Sequence, residues 1–433
     1  MARELPSASL VENVRFNALV IVPNAIQGLF RRRRAAVAAA TKADVDRWAV
    51  GLLRGMRESH GPGPVWIRVI RDRALLVLAL DDVRRVLSGS PQPFGSDPES
   101  KRRGMVAFQP DALTISRGGL WENRRRFTEA VLDTGRAAHR LAERFAAVVH
   151  EEAEALLSEV GDEIDWDAWH LTLRRITRRV TLGDAARDDE ALSELLGELM
   201  SEANGMPGEP SERLPELMEA IGRYADAAEP GGLVSLFDEA PSDADTKVAG
   251  QVPHWLFASS DTLAINSFRC LALLASHPKQ RARAARDGGY LEACLHDAMR
   301  LWPTTPMLAR ETVAEVDWDG ATVPAGTQVL VPNTFLHRDP DSHDFADRFA
   351  PEVWLDGDAA DDWSFNHFSH GPQGCPGTGI ALFLGKALIA AVLAEREVQL
   401  KSPRLDPDRP LPHMLDFFGI RVELRPPAPP AAA

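Results

Sequence analysis

A chain of 433 residues, 45% of them hydrophobic, can bury one large core, and its net charge of −14 argues against bulk binding to nucleic acid or to an anionic membrane. Its three cysteines, Cys270, Cys294 and Cys375, are far apart and odd in number, which argues against a disulfide framework and favours a reducing compartment, so we expect a cytoplasmic protein. No apolar run reaches the roughly 18 residues that a membrane span needs, and we expect none.

A basic cluster occupies residues 31–34, close to the N-terminus. It follows the short apolar run 18–22, which is the reverse of the order in a secretory signal. We interpret the cluster as a solvated helix face. A weak peripheral membrane contact beside residues 29–30 is the alternative.

Strand patterns occur towards both ends of the chain. The apolar runs 66–70 and 74–78 flank a charged tripeptide and predict a β-hairpin. Residues 89–119 are rich in Gly, Pro and Ser and predict a long functional loop. Further strand patterns lie at 322–331, 397–401 and 418–424.

Helical patterns fill the middle, from residue 121 to about 275 and again over 278–301, with breaks near Gly183, 205–210 and 229–232. We therefore predict a mainly α-helical fold with small accessory β-sheets. A single domain is assigned to residues 20–425, an N-terminal extension to 1–19 and a disordered Pro/Ala tail to 426–433.

The most informative segment is residues 368–377, Phe-Ser-His-Gly-Pro-Gln-Gly-Cys-Pro-Gly, followed by an apolar helical stretch over 380–394. Loop amides and a helix N-terminus stabilise a thiolate, and a lone thiolate suits the axial position of a haem iron. A buried structural cysteine in a Gly/Pro turn is the alternative. The pattern Phe-x2-Gly-x3-Cys-x-Gly resembles the haem-binding signature of the cytochrome P450 superfamily.

This resemblance implies a triangular prism of long helices around haem b (iron protoporphyrin IX), with Cys375 as the iron ligand. The other expected cofactor-binding residues of the loop are Phe368, His370, Gly371, Gln373 and Gly377. Members of the family commonly have His or Arg where Gln373 stands. His370 or His367 could replace that cation, although a lone His is more often structural.

Residues 258–262, Ala-Ser-Ser-Asp-Thr, interrupt a predicted apolar helix over 255–274. Asp261 and Thr262 are costly to bury there. They resemble the family's acid–alcohol pair, which implies that they relay protons during oxygen activation. Ser259 stands where the family usually has Gly. The alternative for Asp261 and Thr262 is that they simply face solvent on an ordinary helix.

Asp297 and Arg300 lie three residues apart on a predicted helix and can pair. They resemble the family's Glu-x-x-Arg motif, with Asp replacing Glu. Val353 occupies the position of the family's partner Arg, so we hypothesise that Arg348 supplies the missing cation. A surface salt bridge is the alternative for the pair.

Two further segments resemble those that hold the haem propionates in the family. Trp121 and Arg125 match a Trp-x3-Arg helix, and Arg310 matches a second propionate-binding arginine. Arginine suits this role because its planar fork binds a carboxylate bidentately.

By family position, a largely apolar substrate would contact ten side chains: Phe94, Phe108, Leu113, Trp255, Ala258, Thr305, Met307, Leu308, Phe417 and Phe418. The resemblance implies a soluble, actinobacterial-type haem-thiolate monooxygenase of secondary metabolism, which inserts one atom of O2 into a small organic molecule.

The chain has no flavin or iron–sulfur pattern of its own, so we expect electrons from a ferredoxin and its NAD(P)H-dependent reductase. We expect the protein to be a monomer and to bind no nucleic acid. Two alternatives remain: a peroxide-driven or non-oxidative haem-thiolate enzyme, which would not need Asp261 and Thr262, and a catalytically silent binding protein.

Overall fold

The computed structural model describes residues 4–426, and most of them are helical. The α-helices are α1 (Leu10–Phe16), α2 (Val22–Gln27), α3 (Arg34–Ala43), α4 (Val45–His60), α5 (Leu80–Ser88), α6 (Glu99–Met105), α7 (Gly118–Val131), α8 (Ala142–Glu159), α9 (Trp166–Leu182), α10 (Glu190–Ala203), α11 (Leu214–Ala227), α12 (Val252–Phe257), α13 (Leu263–Ser276), α14 (Pro278–Ala284), α15 (Gly288–Leu301), α16 (Asn333–Leu336), α17 (Asp358–Asp361) and α18 (Thr378–Glu395).

Three small sheets accompany the helices. Their strands are β1 (Val65–Val69), β2 (Asp72–Leu76), β3 (Phe94–Gly95), β4 (Glu163–Asp165), β5 (Leu308–Thr312), β6 (Val316–Trp318), β7 (Ala321–Val323), β8 (Gln328–Val331), β9 (Glu397–Ser402) and β10 (Arg421–Arg425). The largest sheet has the order β1-β2-β8-β5-β3, in which only the β2–β8 pair is parallel; the others are β4-β10-β9 and the β6-β7 hairpin. The predicted mainly helical fold with small sheets is confirmed.

The main core surrounds α13, a helix whose side chains are buried on nearly every face. A helix that is apolar all round belongs in the interior of a large domain. It packs against α9, α15 and α18. A second apolar cluster fills the space between the largest sheet and helices α4 and α5.

The N-terminal segment is part of this second cluster, contrary to its assignment as an extension. Phe16 is fully buried. The Trp66 amide donates to the Pro6 carbonyl at 2.9 Å, and the Ala8 amide donates to the Trp66 carbonyl at 2.8 Å. Residues 6–19 therefore belong to the domain, because the edge of β1 supplies their hydrogen-bond partners. The predicted tail lies outside the described residues, apart from Pro426.

Several local predictions are confirmed and one needs refinement. The hairpin forms as β1 and β2, with Trp66 opposite Leu75. Helix α9 ends at the predicted break, where Gly183 adopts a φ of 102° that favours glycine. Residues 89–119, predicted to be one long loop, instead contain β3, α6 and a 3₁₀ turn at Leu113–Ile115.

Helix α18 is the one described helix whose length and composition would allow it to cross a membrane. It packs against α8, α13 and α15. Part of its apolar surface, including Ile380 and Leu384, faces an internal cavity.

Candidate active site

A cavity of about 1640 Å³ lies between the helical core and the largest sheet. Its walls include the loop around Cys375, the segment Ala258–Thr262 and strand β5. These segments are far apart in sequence, and the fold brings them to one space.

The loop before α18 presents Cys375 to this cavity. The Cys375 amide donates to the Phe368 carbonyl at 2.8 Å, which closes the loop, and the Thr378 hydroxyl donates to the Cys375 carbonyl at 2.9 Å. Gly371 has a φ of 72°, and a Cβ there would lie 2.2 Å from the Leu87 carbonyl oxygen. Only glycine fits that position.

The Cys375 thiol is not strongly activated by its protein surroundings alone. Burial raises its pKa, while the Gly377 amide, the Thr378 hydroxyl and the charge of Arg125 lower the pKa and offset part of that effect. In the protein alone, burial therefore outweighs the stabilisation of the thiolate that we expected from the loop amides and the helix N-terminus. A coordinated metal cation would deprotonate the thiol outright, so this donor suits a ligand of bound iron.

Two cations, the buried Arg310 and the half-buried Lys101, face the cavity without a carboxylate partner. The Arg310 side chain is only 3% exposed, donates to Ser90 Oγ at 3.2 Å and Ser369 Oγ at 3.0 Å, and has no carboxylate within 4.0 Å among residues 4–426. Burial lowers its pKa to about 10. Lys101 donates to Ser96 O and Thr114 Oγ1, and burial, together with the charge of Arg310, lowers its pKa to about 7. Uncompensated buried cations favour an anionic ligand.

Trp121 and Arg125 lie on α7 and both line the cavity. Arg125 is tied to its surroundings: Nε donates to Glu129 Oε1 at 2.6 Å and Nη1 donates to the Gly374 carbonyl at 2.6 Å. It therefore fastens α7 to the cysteine loop as well as facing the cavity.

The other loop residues divide into two groups. Phe368, Gln373 and Gly377 line the cavity, and Gln373 Oε1 is buried without a hydrogen-bond partner. His370 does not reach the cavity, because it stacks on Trp363 at 4.9 Å and bonds to the Phe365 carbonyl at 3.1 Å. This position does not favour its predicted cofactor contact, which stays a prediction, and burial lowers its pKa. Gly371 acts through its backbone conformation.

These residues fit haem. The thiol, the unpaired Arg310 and Lys101, and the unpartnered amide oxygen of Gln373 form a donor set suited to a flat dianionic cofactor with a thiolate-bound metal.

Asp261 and Thr262 both line the cavity from a π-helical turn, Ala258–Thr262, that links α12 to α13. The helix predicted over residues 255–274 forms without a break, but the sequence did not indicate its π-helical turn. Such turns often occur at functional sites. The Ser260 hydroxyl donates to the Leu256 carbonyl at 2.6 Å and to Asp261 Oδ2 at 3.1 Å.

Sequence reasoning missed a partner of Asp261. His170, on α9, places Nε2 3.3 Å from Asp261 Oδ1, and its ring stacks on Trp166. Burial alone would raise the Asp261 pKa, but the neighbouring imidazole and the Ser260 hydroxyl together hold that pKa below its usual value. No sequence signal identified His170, because its meeting with Asp261 depends on how α9 packs across the π-turn.

Asp297 and Arg300 form a fully buried ion pair. Arg300 donates from Nε to Asp297 Oδ1 at 2.6 Å and from Nη2 to Oδ2 at 3.2 Å. The Ala350 amide at 2.7 Å and the Trp354 indole at 3.2 Å also donate to this carboxylate. The surface alternative is therefore excluded.

The hypothesis for Arg348 is wrong. Its side chain is 63% exposed and its nearest carboxylate is Asp344, at 3.8 Å. Only its backbone carbonyl participates, accepting a hydrogen bond from Arg300 Nη2 at 2.7 Å. Backbone groups and Trp354 thus complete the pair without a second guanidinium where Val353 stands.

Eight of the ten predicted substrate contacts line the cavity: Leu113, Trp255, Ala258, Thr305, Met307, Leu308, Phe417 and Phe418. The predictions for Phe94 and Phe108 are wrong. Phe94 packs against Trp318 in the sheet core, with ring centroids 5.9 Å apart. Phe108 packs between Phe30 and Phe257. Both rings fill the interior behind the cavity wall.

Comparisons with known proteins agree with this geometry. The family model described as Cytochrome P450 matches residues 239–417. Cytochrome P450 4c3 of Drosophila melanogaster is 28% identical over 214 residues, which are 44% of this chain and 40% of that protein. Cyclooctat-9-en-7-ol 5-monooxygenase of Streptomyces melanosporofaciens is 28% identical over 384 residues, covering 77% of this chain and 81% of that protein.

The fold is also that of a solved structure, retinoic acid bound cyanobacterial CYP120A1, with a TM-score of 0.67 and 17% identity over 86% of this chain and 93% of that one. This likeness shows the fold, and the family model and the relatives show that the chain belongs to the cytochrome P450 superfamily of haem-thiolate oxidoreductases.

Proposed function

We propose that this chain is a monooxygenase that inserts one oxygen atom of O2 into a largely apolar small molecule. The observation that supports this most directly is that Cys375, the Asp261–Thr262 pair and the unpaired Arg310 face the same cavity. A silent binding protein would not need an acid and an alcohol on the helical turn that lines this cavity, where Asp and Thr are poor helix formers.

Haem b, when bound, would supply the oxygen activation and one-electron chemistry. The Cys375 thiolate would hold its iron. Arg310, Lys101, Arg125 and Trp121 would hold its propionates. The negative propionates would supply the charges that Arg310 and Lys101 lack in the protein alone.

Asp261 and Thr262 would carry protons into the cavity. The lowered pKa of Asp261 keeps its carboxylate ionised at neutral pH and therefore able to accept a proton. His170, 3.3 Å away, orients this carboxylate, and the Thr262 hydroxyl can both accept and donate a proton.

The substrate is proposed to be largely hydrocarbon. Phe417, Phe418, Leu308 and Met307 supply apolar surface. The names of a cyclooctat-9-en-7-ol monooxygenase and of a retinoic-acid-bound structure support this class. We further propose that a ferredoxin and its NAD(P)H-dependent reductase supply electrons in the cytoplasm, since the three cysteines are free and widely separated.

The absorption spectrum of the reduced, carbon-monoxide-bound protein tests the centre of this proposal. We expect a strongly red-shifted Soret band that Cys375→Ala abolishes. A bound haem with an ordinary Soret position, or no bound haem, would refute thiolate ligation by Cys375.

The proton route has its own test. With a surrogate ferredoxin pair and a turned-over substrate, Thr262→Ala should continue to consume electrons while product falls and peroxide rises. Unchanged coupling of electrons to product would remove Thr262 from the mechanism.

A further inference from the structure

Arg32 differs from the other members of the basic cluster at residues 31–34. The sequence predicts a solvated helix face for this cluster, and three of its arginines are exposed. Arg32 instead lies in the loop before α3 and is half-buried, because its side chain lies between two cavities. One is the large cavity that contains Cys375, and the other is a small cavity that we call the side pocket.

The side pocket has a volume of about 50 Å³ and positively charged walls. Its ionisable wall residues are Arg32, Asp46, Arg269 and His413. Burial lowers the pKa of His413, so this imidazole is neutral at pH 7. Burial also raises the pKa of Asp46 to about 6. Two guanidinium groups therefore share the walls with a single carboxylate.

Neither guanidinium is neutralised by a direct ion pair, since neither has a carboxylate within 4.0 Å among residues 4–426. Arg269 donates to the Trp302 and Leu415 carbonyls, each at 2.9 Å, and its Nε is buried without a partner. The Arg32 side chain makes one hydrogen bond in that part of the chain, from Nη2 to the Thr304 carbonyl at 3.1 Å. A guanidinium has five N–H donors, so most of those of Arg32 are free for a ligand.

Arg32 is accessible from the large cavity, whereas its charged neighbours are not. Arg32, Thr304 and Phe417 line both cavities. Asp46 and Arg269 line only the side pocket. A ligand in the large cavity would therefore meet Arg32 without contacting Asp46.

Arg32 lies apart from the cations that are proposed to hold haem. Burial, together with the charge of Arg310, lowers the pKa of Lys101, so those two cations are neighbours. Burial also lowers the pKa of Arg32, but the charge that acts on it is that of Asp46. The charge of Arg32 is therefore available to a molecule other than haem.

The wall next to Arg32 is apolar and continues towards the acid–alcohol pair. Ile265 and Phe417 line both cavities beside it. Arg269 lies seven residues after Thr262 along α13, which is about 10 Å along the helix axis. A substrate held at Arg32 by one end would thus place carbons several bonds away from that end near Thr262.

A carboxylate is the substrate group that suits Arg32 best. The planar fork of arginine binds a carboxylate bidentately, and a desolvated cation without a counterion favours an anion over a neutral group. A phosphate monoester carries nearly two negative charges at neutral pH, which one guanidinium does not balance. A carboxylate carries a single charge and matches the single free guanidinium.

We propose that Arg32 binds the carboxylate of a largely hydrocarbon acid, so that the oxidised carbon lies several bonds from that carboxylate. This inference rests on the proposed function, because it takes the large cavity to be the substrate site. It makes Arg32 a substrate-binding residue that determines specificity.

Isothermal titration calorimetry with the haem-loaded full chain tests the proposal. The probes are decanoic acid and decanamide, which share one hydrocarbon chain and differ in charge. We expect the wild type to bind the acid at least about tenfold more tightly than the amide, because a hydrogen bond to a charged group is stronger than one to a neutral group. Arg32→Gln should lose this preference and still bind the amide like the wild type, which shows that the cavity is intact.

Two further variants complete the test. Arg32→Lys should keep part of the preference, because it retains the charge but loses the planar fork. Arg33→Gln is the matched control, since Arg33 is the exposed neighbour of Arg32 and lines neither cavity. Its preference for the acid should equal that of the wild type.

The outcomes separate this site from the proposed function. A wild type without a preference for the acid, including one that binds neither probe, would overturn the proposal, as would a preference that survives in Arg32→Gln or disappears in Arg33→Gln. Product formation with a surrogate ferredoxin pair is measured separately. An Arg32-dependent preference without any product would leave the carboxylate site standing and remove the oxygenase function, whereas equal product from wild type and Arg32→Gln with decanoic acid would do the reverse.

Discussion

Neutralising Asp297 should destabilise the protein more than any change to the exposed charges around it. Both Asp297 and Arg300 are fully buried, and each oxygen of the carboxylate accepts two hydrogen bonds. In Asp297→Asn one of these oxygens becomes an NH2 group. One guanidinium N–H and one other donor then lose their acceptor, and Arg300 becomes a buried charge without a counterion.

The expected cost follows from these contacts. Removing one partner of a buried ion pair costs about 3–5 kcal/mol, and a buried unsatisfied donor about 1–3 kcal/mol. These effects overlap, because the same N–H groups are counted in both. We therefore expect Asp297→Asn to lower the free energy of unfolding by about 4 kcal/mol.

Urea unfolding, monitored by tryptophan fluorescence, measures this loss. The wild type and the variants are compared without cofactor, so that differences in haem content do not affect the result. Arg348→Ala is the matched control: its guanidinium is exposed and its carbonyl, which is the group that Arg300 uses, is retained. It should change the free energy by less than about 1 kcal/mol. Equal losses in the two variants, or a loss below about 1 kcal/mol in Asp297→Asn, would refute this account of the pair.

Three further results are expected. Gly371→Ala should cost about 2 kcal/mol or more in urea unfolding, because φ is 72° and the new Cβ would lie 2.2 Å from the Leu87 oxygen; an unchanged midpoint would contradict the loop geometry. His170→Gln should raise the pKa of Asp261, because the effect of burial is then no longer offset by the imidazole. NMR titration of the Asp261 carboxyl carbon measures this pKa, and an unchanged value would show that His170 is not the partner of Asp261. Burial raises the pKa of Asp46 from 3.8 to about 6, so the folded protein holds this proton more tightly than the unfolded chain does. The resulting contribution to the free energy of unfolding is fully present below pH 3.8 and is lost as the pH rises through about 6. Asp46→Asn should therefore match the wild type near pH 4 and exceed it by about 2–3 kcal/mol near pH 8, and a gain independent of pH would argue against this linkage.

Local sequence patterns predicted the features that depend on neighbouring residues. The β1–β2 hairpin follows from alternating apolar runs around a short turn. The break at Gly183 follows from glycine's freedom to adopt positive φ. The cysteine loop and its following helix are contiguous, so one motif identified both.

Features that depend on distant segments were predicted less well. The attachment of residues 6–8 to the domain required a free edge on β1, and no pattern in that segment reveals the edge. The side chain of Arg348 points outwards while its carbonyl points to Arg300, a choice that depends on the path of the whole segment before α17. Phe94 and Phe108 share the composition of cavity-lining residues but pack behind the wall.

By itself, the sequence determined the mainly helical fold, and it indicated a cysteine loop at Cys375 and an acid–alcohol pair at Asp261 and Thr262 that resemble those of the family. Each of these is carried by residues within a few positions of one another, where backbone geometry and side-chain chemistry act locally. The tertiary structure alone decided that His170 meets Asp261 and that Arg310 and Lys101 face the cavity without carboxylates. Those contacts join segments from different helices and strands, and only the packing of the whole core determines which side chains meet across them.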